Sequence, residues 1–111
     1  MTTKDDSTAT VAELKQVVQQ FVDERNWRKF HNAKNLSMSL AIEAAELMEH
    51  FQWLTTDEVL AGEQQNFSEI ADELADVTCY ALAIANVLKI DLTQAVCSKM
   101  VKNRLKYPAE Q

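Results

Sequence analysis

One glycine, Gly62, and one proline, Pro108, are all that this 111-residue chain holds of the two residues that interrupt regular structure most effectively. Such scarcity of turn formers predicts long helices joined by short connections, so the expected class is all-α. At this length the chain is expected to be one domain, small enough that a partner subunit would help it bury more apolar surface.

Hydrophobic spacing places the helices. Thr10 followed by Glu13 fits a capping box, and Val11, Leu14, Val17, Val18, Phe21 and Val22 then recur at helical intervals until the pattern fades near Arg25. Residues 26–35, NWRKFHNAKN, keep no period and read as a connection closed by an Asn35 cap. A second helix is expected from there to about Trp53. The polar stretch between Thr55 and Phe67 reads as a short helix or a mobile loop. The third and longest apolar helix starts near Ser68 and runs to about Leu88. The fourth opens on Asp91 with Gln94 and runs to roughly Lys106, where Tyr107 and Pro108 end it. The domain is thus expected over residues 10–108, with a flexible segment over residues 1–9 and a tail over residues 109–111.

Charge narrows the partners. A formal net charge of −6 and a pI near 4.8 repel nucleic acid and anionic membranes, so a phosphate-bearing partner must be small or held through a cation. The opening residues MTTKDDSTAT lack the basic start and apolar core of a signal peptide, and no apolar run is long enough to cross a bilayer. A soluble, cytoplasmic protein is expected. Cys79 and Cys97 lie in apolar helical patterns without metal-type or redox-type spacing, and are expected as buried free thiols.

The stretch LSMSLAIEAAELM is almost wholly apolar, yet it carries Glu43 and Glu46 three residues apart. On a helix that spacing puts both on one face, roughly 5–6 Å apart. Glu73 and Asp76 repeat it in the third helix, enclosed by Leu74, Ala75 and Val77. Ionised carboxylates in apolar surroundings are costly unless they are paired or coordinate a metal. At an effective dielectric near 20, two like charges about 5.5 Å apart repel by roughly 3 kcal/mol, and four converging acids contain several such pairs. Divalent cations offset this, and carboxylate oxygens suit Mg²⁺ or Mn²⁺. The plainer alternative is that one or both pairs face solvent, since 17 acidic residues produce such pairs by chance, among them Glu46/Glu49 and Glu69/Asp72.

Other residues have two readings each. Arg104 falls near the middle of the apolar arc of the fourth helix and is expected to be buried, either ion-paired or clamping a phosphate. Lys99, Asn103 and Lys106 flank it as a solvated face or a polyphosphate contact. Trp27, His31, Trp53 and Tyr80, taken singly, read as core or interface groups. His31 and His50 do not complete the Glu-x-x-His pattern of di-iron bundles, which counts against a ferritin-like oxidase.

Taken together, the segments WRKFHNAKNL, EAAELMEHFQW, DELADVTCY and SKMVKNRLKYP resemble the all-α nucleoside triphosphate pyrophosphohydrolases, in the MazG-like branch that includes dCTP pyrophosphatases. The likeness runs from about Trp27 to Pro108. It implies a MazG-like four-helix bundle completed by oligomerisation into a dimer or tetramer, and hydrolysis of a nucleoside triphosphate, dCTP or a related pyrimidine, to the monophosphate and pyrophosphate in nucleotide-pool cleansing. It further implies Mg²⁺ on Glu43, Glu46, Glu73 and Asp76, with Glu46 or else Glu43 as general base. Trp27, His31, Trp53 and Tyr80 would shape the base and sugar pocket, and Lys99, Asn103, Arg104 and Lys106 would lie near the phosphates. Ala33 departs from the pattern, since close relatives often carry proline there. An inactive metal-binding module, serving oligomerisation or regulation, is the alternative.

Overall fold

Side-chain caps fix where four of the five α-helices begin. In the computed structural model, which describes residues 4–64 and 66–110, α1 is Val11–Glu24, α2 Ala33–Glu49, α3 Thr56–Leu60, α4 Phe67–Leu88 and α5 Leu92–Lys106. A single 3-10 turn, Arg28–Phe30, sits between α1 and α2, and no strand occurs among the described residues. The all-α expectation holds, with four long helices and one short one.

The Thr10 hydroxyl accepts from the Glu13 N–H at 3.1 Å while the Glu13 carboxylate accepts from the Thr10 N–H at 3.3 Å, so the capping box forms as expected. Asp91 caps α5 by accepting from the Gln94 N–H at 2.9 Å. The start of α2 differs from expectation. Asn32 is the cap, because it holds the extended backbone a cap requires and its Oδ1 accepts from the Asn35 N–H at 2.9 Å. Asn35 already lies inside the helix, and its side-chain amide donates to the Phe30 carbonyl at 3.2 Å, tying the 3-10 turn to α2. Helix α2 also stops at Glu49 rather than near Trp53. The His50 and Phe51 N–H groups bond back to Leu47 and Met48 in tight turns, and the chain then enters a second capping box, Thr55 with Glu58, that opens α3.

Within the N-terminal segment, residues 5–8 form a hydrogen-bonded turn in which Asp5 Oδ1 accepts from the Ser7 N–H at 2.9 Å. Residues 1–3 and 111 of the expected terminal segments lie outside the described residues.

Helices α2 and α4 form the main packed pair, and α1 lies against α4. Among the described residues only Val22 of α1, Leu36 of α2, and Leu82, Ala83 and Ala85 of α4 are buried apolar residues. The chain turns by 104° between α4 and α5, and α5 contains no buried residue. Arg104, expected on a buried arc, is therefore exposed: the apolar arc exists, but no helix of the same chain covers it. Cys79 and Cys97 are free, as expected, yet both are exposed rather than buried. No single helix among the described residues is long and apolar enough to cross a membrane.

Candidate active site

Packing of α2 against α4 brings two acidic stripes together. Glu43, Glu73 and Asp76 each place one carboxylate oxygen within 4.8 Å of the others. Glu46 stands beside them, able to accept a hydrogen bond from whichever of Glu43 and Glu73 holds a proton. No donor among the described residues reaches Oε2 of Glu43 or Oε2 of Glu73, although both atoms are buried. The ion pairs seen, Lys4 with Glu13, Arg25 with Glu24 and Arg28 with Asp23, all involve α1 or its flanks.

The electrostatic consequence is large. Desolvation pushes the Glu43 carboxyl up to about 7, helped by its hydrogen bond to Glu46 and by the charges of Glu46, Asp76 and Glu73. Glu73 is raised as well, mainly by desolvation and then by the charge of Glu46. A half-buried all-oxygen donor set, with two orphaned oxygens and with protons on Glu43 and Glu73 held above their ordinary range, fits a hard divalent cation.

A pocket of 330 Å³ opens beside the cluster, between α1 and α4. Val17, Val18, Phe21 and Val22 line it from α1, Trp27 and His31 from the connection, and Asp76, Cys79, Tyr80 and Ala83 from α4. The Trp27 ring meets Phe21 edge-on at 5.7 Å and stacks on His31 at 6.4 Å with 23° between the planes. Its backbone N–H donates to the Val22 carbonyl at 3.0 Å, which anchors the ring at the end of α1. Asp76 belongs to both features, so the acidic cluster and the aromatic pocket are continuous.

Of the aromatic and imidazole candidates, Trp27, His31 and Tyr80 meet in this pocket. Trp53 does not; it lies past the end of α2 and is 86% exposed. Lys99, Asn103, Arg104 and Lys106 all sit on α5, and none lines the pocket. Glu49 is exposed. On sequence alone the α1 wall residues read as a generic apolar face, and Cys79 had no role. A signal was present on α4, where Glu73, Asp76, Tyr80 and Ala83 recur every three or four residues and so continue one face from acid to pocket wall. Partial desolvation against the pocket wall first, then the Asp76 charge, raises the Cys79 thiol, which keeps it protonated although its residue is exposed overall.

Residues 38–111 match the MazG-like family. Human dCTP pyrophosphatase 1 is 38% identical over 104 residues, covering 90% of this chain and 60% of that protein. The Bos taurus dCTP pyrophosphatase 1 is 36% identical over 104 residues, covering 92% and 62%. The chain thus spans about three fifths of the length of these curated relatives. A crystal structure of a pyrophosphatase from Archaeoglobus fulgidus aligns with a TM-score of 0.82 at 37% identity, covering 98% of this chain and 99% of that one.

Proposed function

The chain belongs to the MazG-like family, and from that premise we propose that it is a nucleoside triphosphate pyrophosphatase. It releases pyrophosphate and the monophosphate from a pyrimidine deoxynucleoside triphosphate, dCTP or a close relative, and clears such nucleotides from the cytoplasmic pool. One observation carries this: Asp76 lines the aromatic pocket and joins the carboxylate cluster. A ligand with one flat, partly apolar end and one highly anionic end matches that pairing. The names of the relatives, dCTP pyrophosphatase 1, support the pyrimidine, as does a compact pocket of 330 Å³.

Glu43, Glu46, Glu73 and Asp76 would hold Mg²⁺, with Mn²⁺ as a substitute; bound there, the ion supplies charge neutralisation on phosphoryl oxygens and a lowered pKa for water. The protein's own part is positioning and proton transfer. Trp27 and His31 stack the base, and Tyr80, one turn from Asp76, orients the sugar side. Glu46 lies outside the three converging oxygens yet next to Glu43 and Glu73. It is therefore the first choice to accept the proton of the attacking water on a carboxylate oxygen, with Glu43 second.

Lys99, Asn103, Arg104 and Lys106 meet the phosphates from a neighbouring subunit, in a dimer or tetramer that also covers Trp53. Supporting this, α5 has no buried residue and leaves Val96, Met100, Val101 and Leu105 exposed, Leu105 at 81%. Residues 10–108 act as one domain.

The test is a panel of deoxynucleoside and ribonucleoside triphosphates, normal and modified on the pyrimidine ring, assayed with Mg²⁺ for monophosphate and pyrophosphate. Pyrophosphate release from pyrimidine deoxynucleotides is expected. Its absence from every member of the panel sinks the proposal.

A further inference from the structure

Past Ala83, the pocket-lining face of α4 continues into a second cavity of 240 Å³. Val18, Val22 and Ala83 belong to both cavities, and so does His31, which forms part of the wall between them. The character changes across that wall. Arg28, His31 and Lys89 all border the second cavity, in a chain whose net charge is −6.

These groups are arranged rather than scattered. Arg28 donates through Nε and Nη2 to the two oxygens of Asp23, at 2.5 and 3.1 Å, which fixes the guanidinium plane and leaves its Nη1 edge unspent. Asn86 is held by its amide, which donates to the Lys15 carbonyl at 3.0 Å. Lys89 pairs with no carboxylate among the described residues. Its backbone is left-handed, φ 56 and ψ 45, at the C-terminal cap of α4. Glycine is the ordinary residue for that position, and a lysine there is strained. Favourable interaction of the ammonium with the helix dipole does not explain the choice, because any position in the last turn would supply it.

We propose that this cavity is a second anion subsite, distinct from the carboxylate centre, that takes a phosphate group through Lys89, Arg28 and His31. It does not hold the triphosphate of the proposed substrate. Ten residues of α4 separate Asp76 from Asn86, about 15 Å along the axis, so a nucleotide whose base fills the pocket between them directs its phosphates the other way. The ligand is a second molecule: orthophosphate, pyrophosphate or a nucleoside monophosphate, of which the last two are products of the proposed reaction. Because His31 borders both cavities and stacks on Trp27, an anion held here is felt at the base pocket.

The experiment needs no turnover, so its outcome is independent of the proposed activity. Metal-free protein in EDTA, whose carboxylate cluster repels anions, is titrated separately with orthophosphate, pyrophosphate and dCMP at constant ionic strength, by calorimetry and by imidazole NMR. Saturable binding that shifts the His31 ring resonances is expected for at least one ligand, and the tightest names the source. Lys89→Gly removes the ammonium and keeps the left-handed backbone, and Lys89→Asn serves as a second variant that also tolerates it. Each should weaken binding about tenfold or more, with the circular dichroism spectrum unchanged. No saturable binding, equal affinity in both variants, or binding that leaves His31 unmoved overturns the assignment.

Discussion

The carboxylates of Glu43 and Asp76 arise on different helices, α2 and α4, yet approach within 4.8 Å of one another. Apolar packing of the two helices forces this meeting, and among the described residues no ion pair from α1 or the connections relieves it. Stability therefore depends on what neutralises the acids: protons at low pH or a divalent ion near neutrality.

Cation binding is the first expectation. Millimolar Mg²⁺ added to EDTA-treated protein should raise the melting temperature by roughly 10–20 °C, since a ligand at about 100 times its Kd stabilises by roughly 2.7 kcal/mol, and roughly 1 kcal/mol moves a domain of this size by about 4–8 °C. Glu73→Gln should cut the shift by more than half. Differential scanning calorimetry reads it directly, and an unchanged melting temperature for the wild type would count against a metal site.

The pH dependence has a definite sign. Glu43 is raised from the usual carboxylate range to about 7 in the folded state, so between about 4.5 and 7 the folded chain holds a proton that the unfolded chain has released. The slope of unfolding free energy with pH is negative there, and stability is lost as pH rises through that window. Metal-free wild type should melt lower at pH 8 than at pH 5, by a margin that Glu43→Gln diminishes. With Mg²⁺ present the trend should weaken or reverse, because the cation needs ionised ligands. Identical pH profiles for wild type and Glu43→Gln would remove the cluster as the cause.

Kinetics should separate base from pocket. Glu46→Gln is expected to lower kcat by about 10²–10⁴ while the protein stays folded. Trp27→Ala, which removes the ring stacked on His31, should act mainly on KM, by roughly 5–150-fold at about 1–3 kcal/mol per stacked base. Steady-state assays with dCTP distinguish the two, and a Glu46→Gln enzyme with unimpaired kcat would exclude it as the base.

Which parts of this were legible in the sequence follows from how local each cause is. The Thr10 and Asp91 caps were legible because cap, spacing and helix lie within four residues. The acidic stripes were legible because two carboxylates three apart amid alanine and leucine are tolerated only where water, a proton or a cation reaches them. Asn32 and Asn35 could not be ranked as caps, since both have the right side chain and only the backbone at residue 32 decides. The end of α2 was placed too late, near Trp53, because the tight turns after Glu49 contain no glycine or proline to announce them. The pocket beside Phe21 was invisible, for a stripe that lines an opening has the same period as a stripe that fills a core. Arg104 marks the limit of a single chain: its neighbours on α5 are apolar, and what covers them is not on α1 to α4.

That last point yields the most discriminating expectation. If α5 of one subunit serves the carboxylates of another, then Arg104→Ala and Glu46→Gln damage different halves of a shared site. Each variant alone should be nearly inactive. Unfolded together and refolded as an equal mixture of dimers, half of the assemblies are mixed, and each mixed dimer regains one of its two sites, so about a quarter of wild-type activity returns. Val101→Asp, which puts a charge on the uncovered face of α5, should lower the assembly mass seen by light scattering and abolish this complementation. Were Arg104 to act within its own chain, mixed dimers would hold one subunit lacking the arginine and one lacking the base, and no activity would return at any mixing ratio.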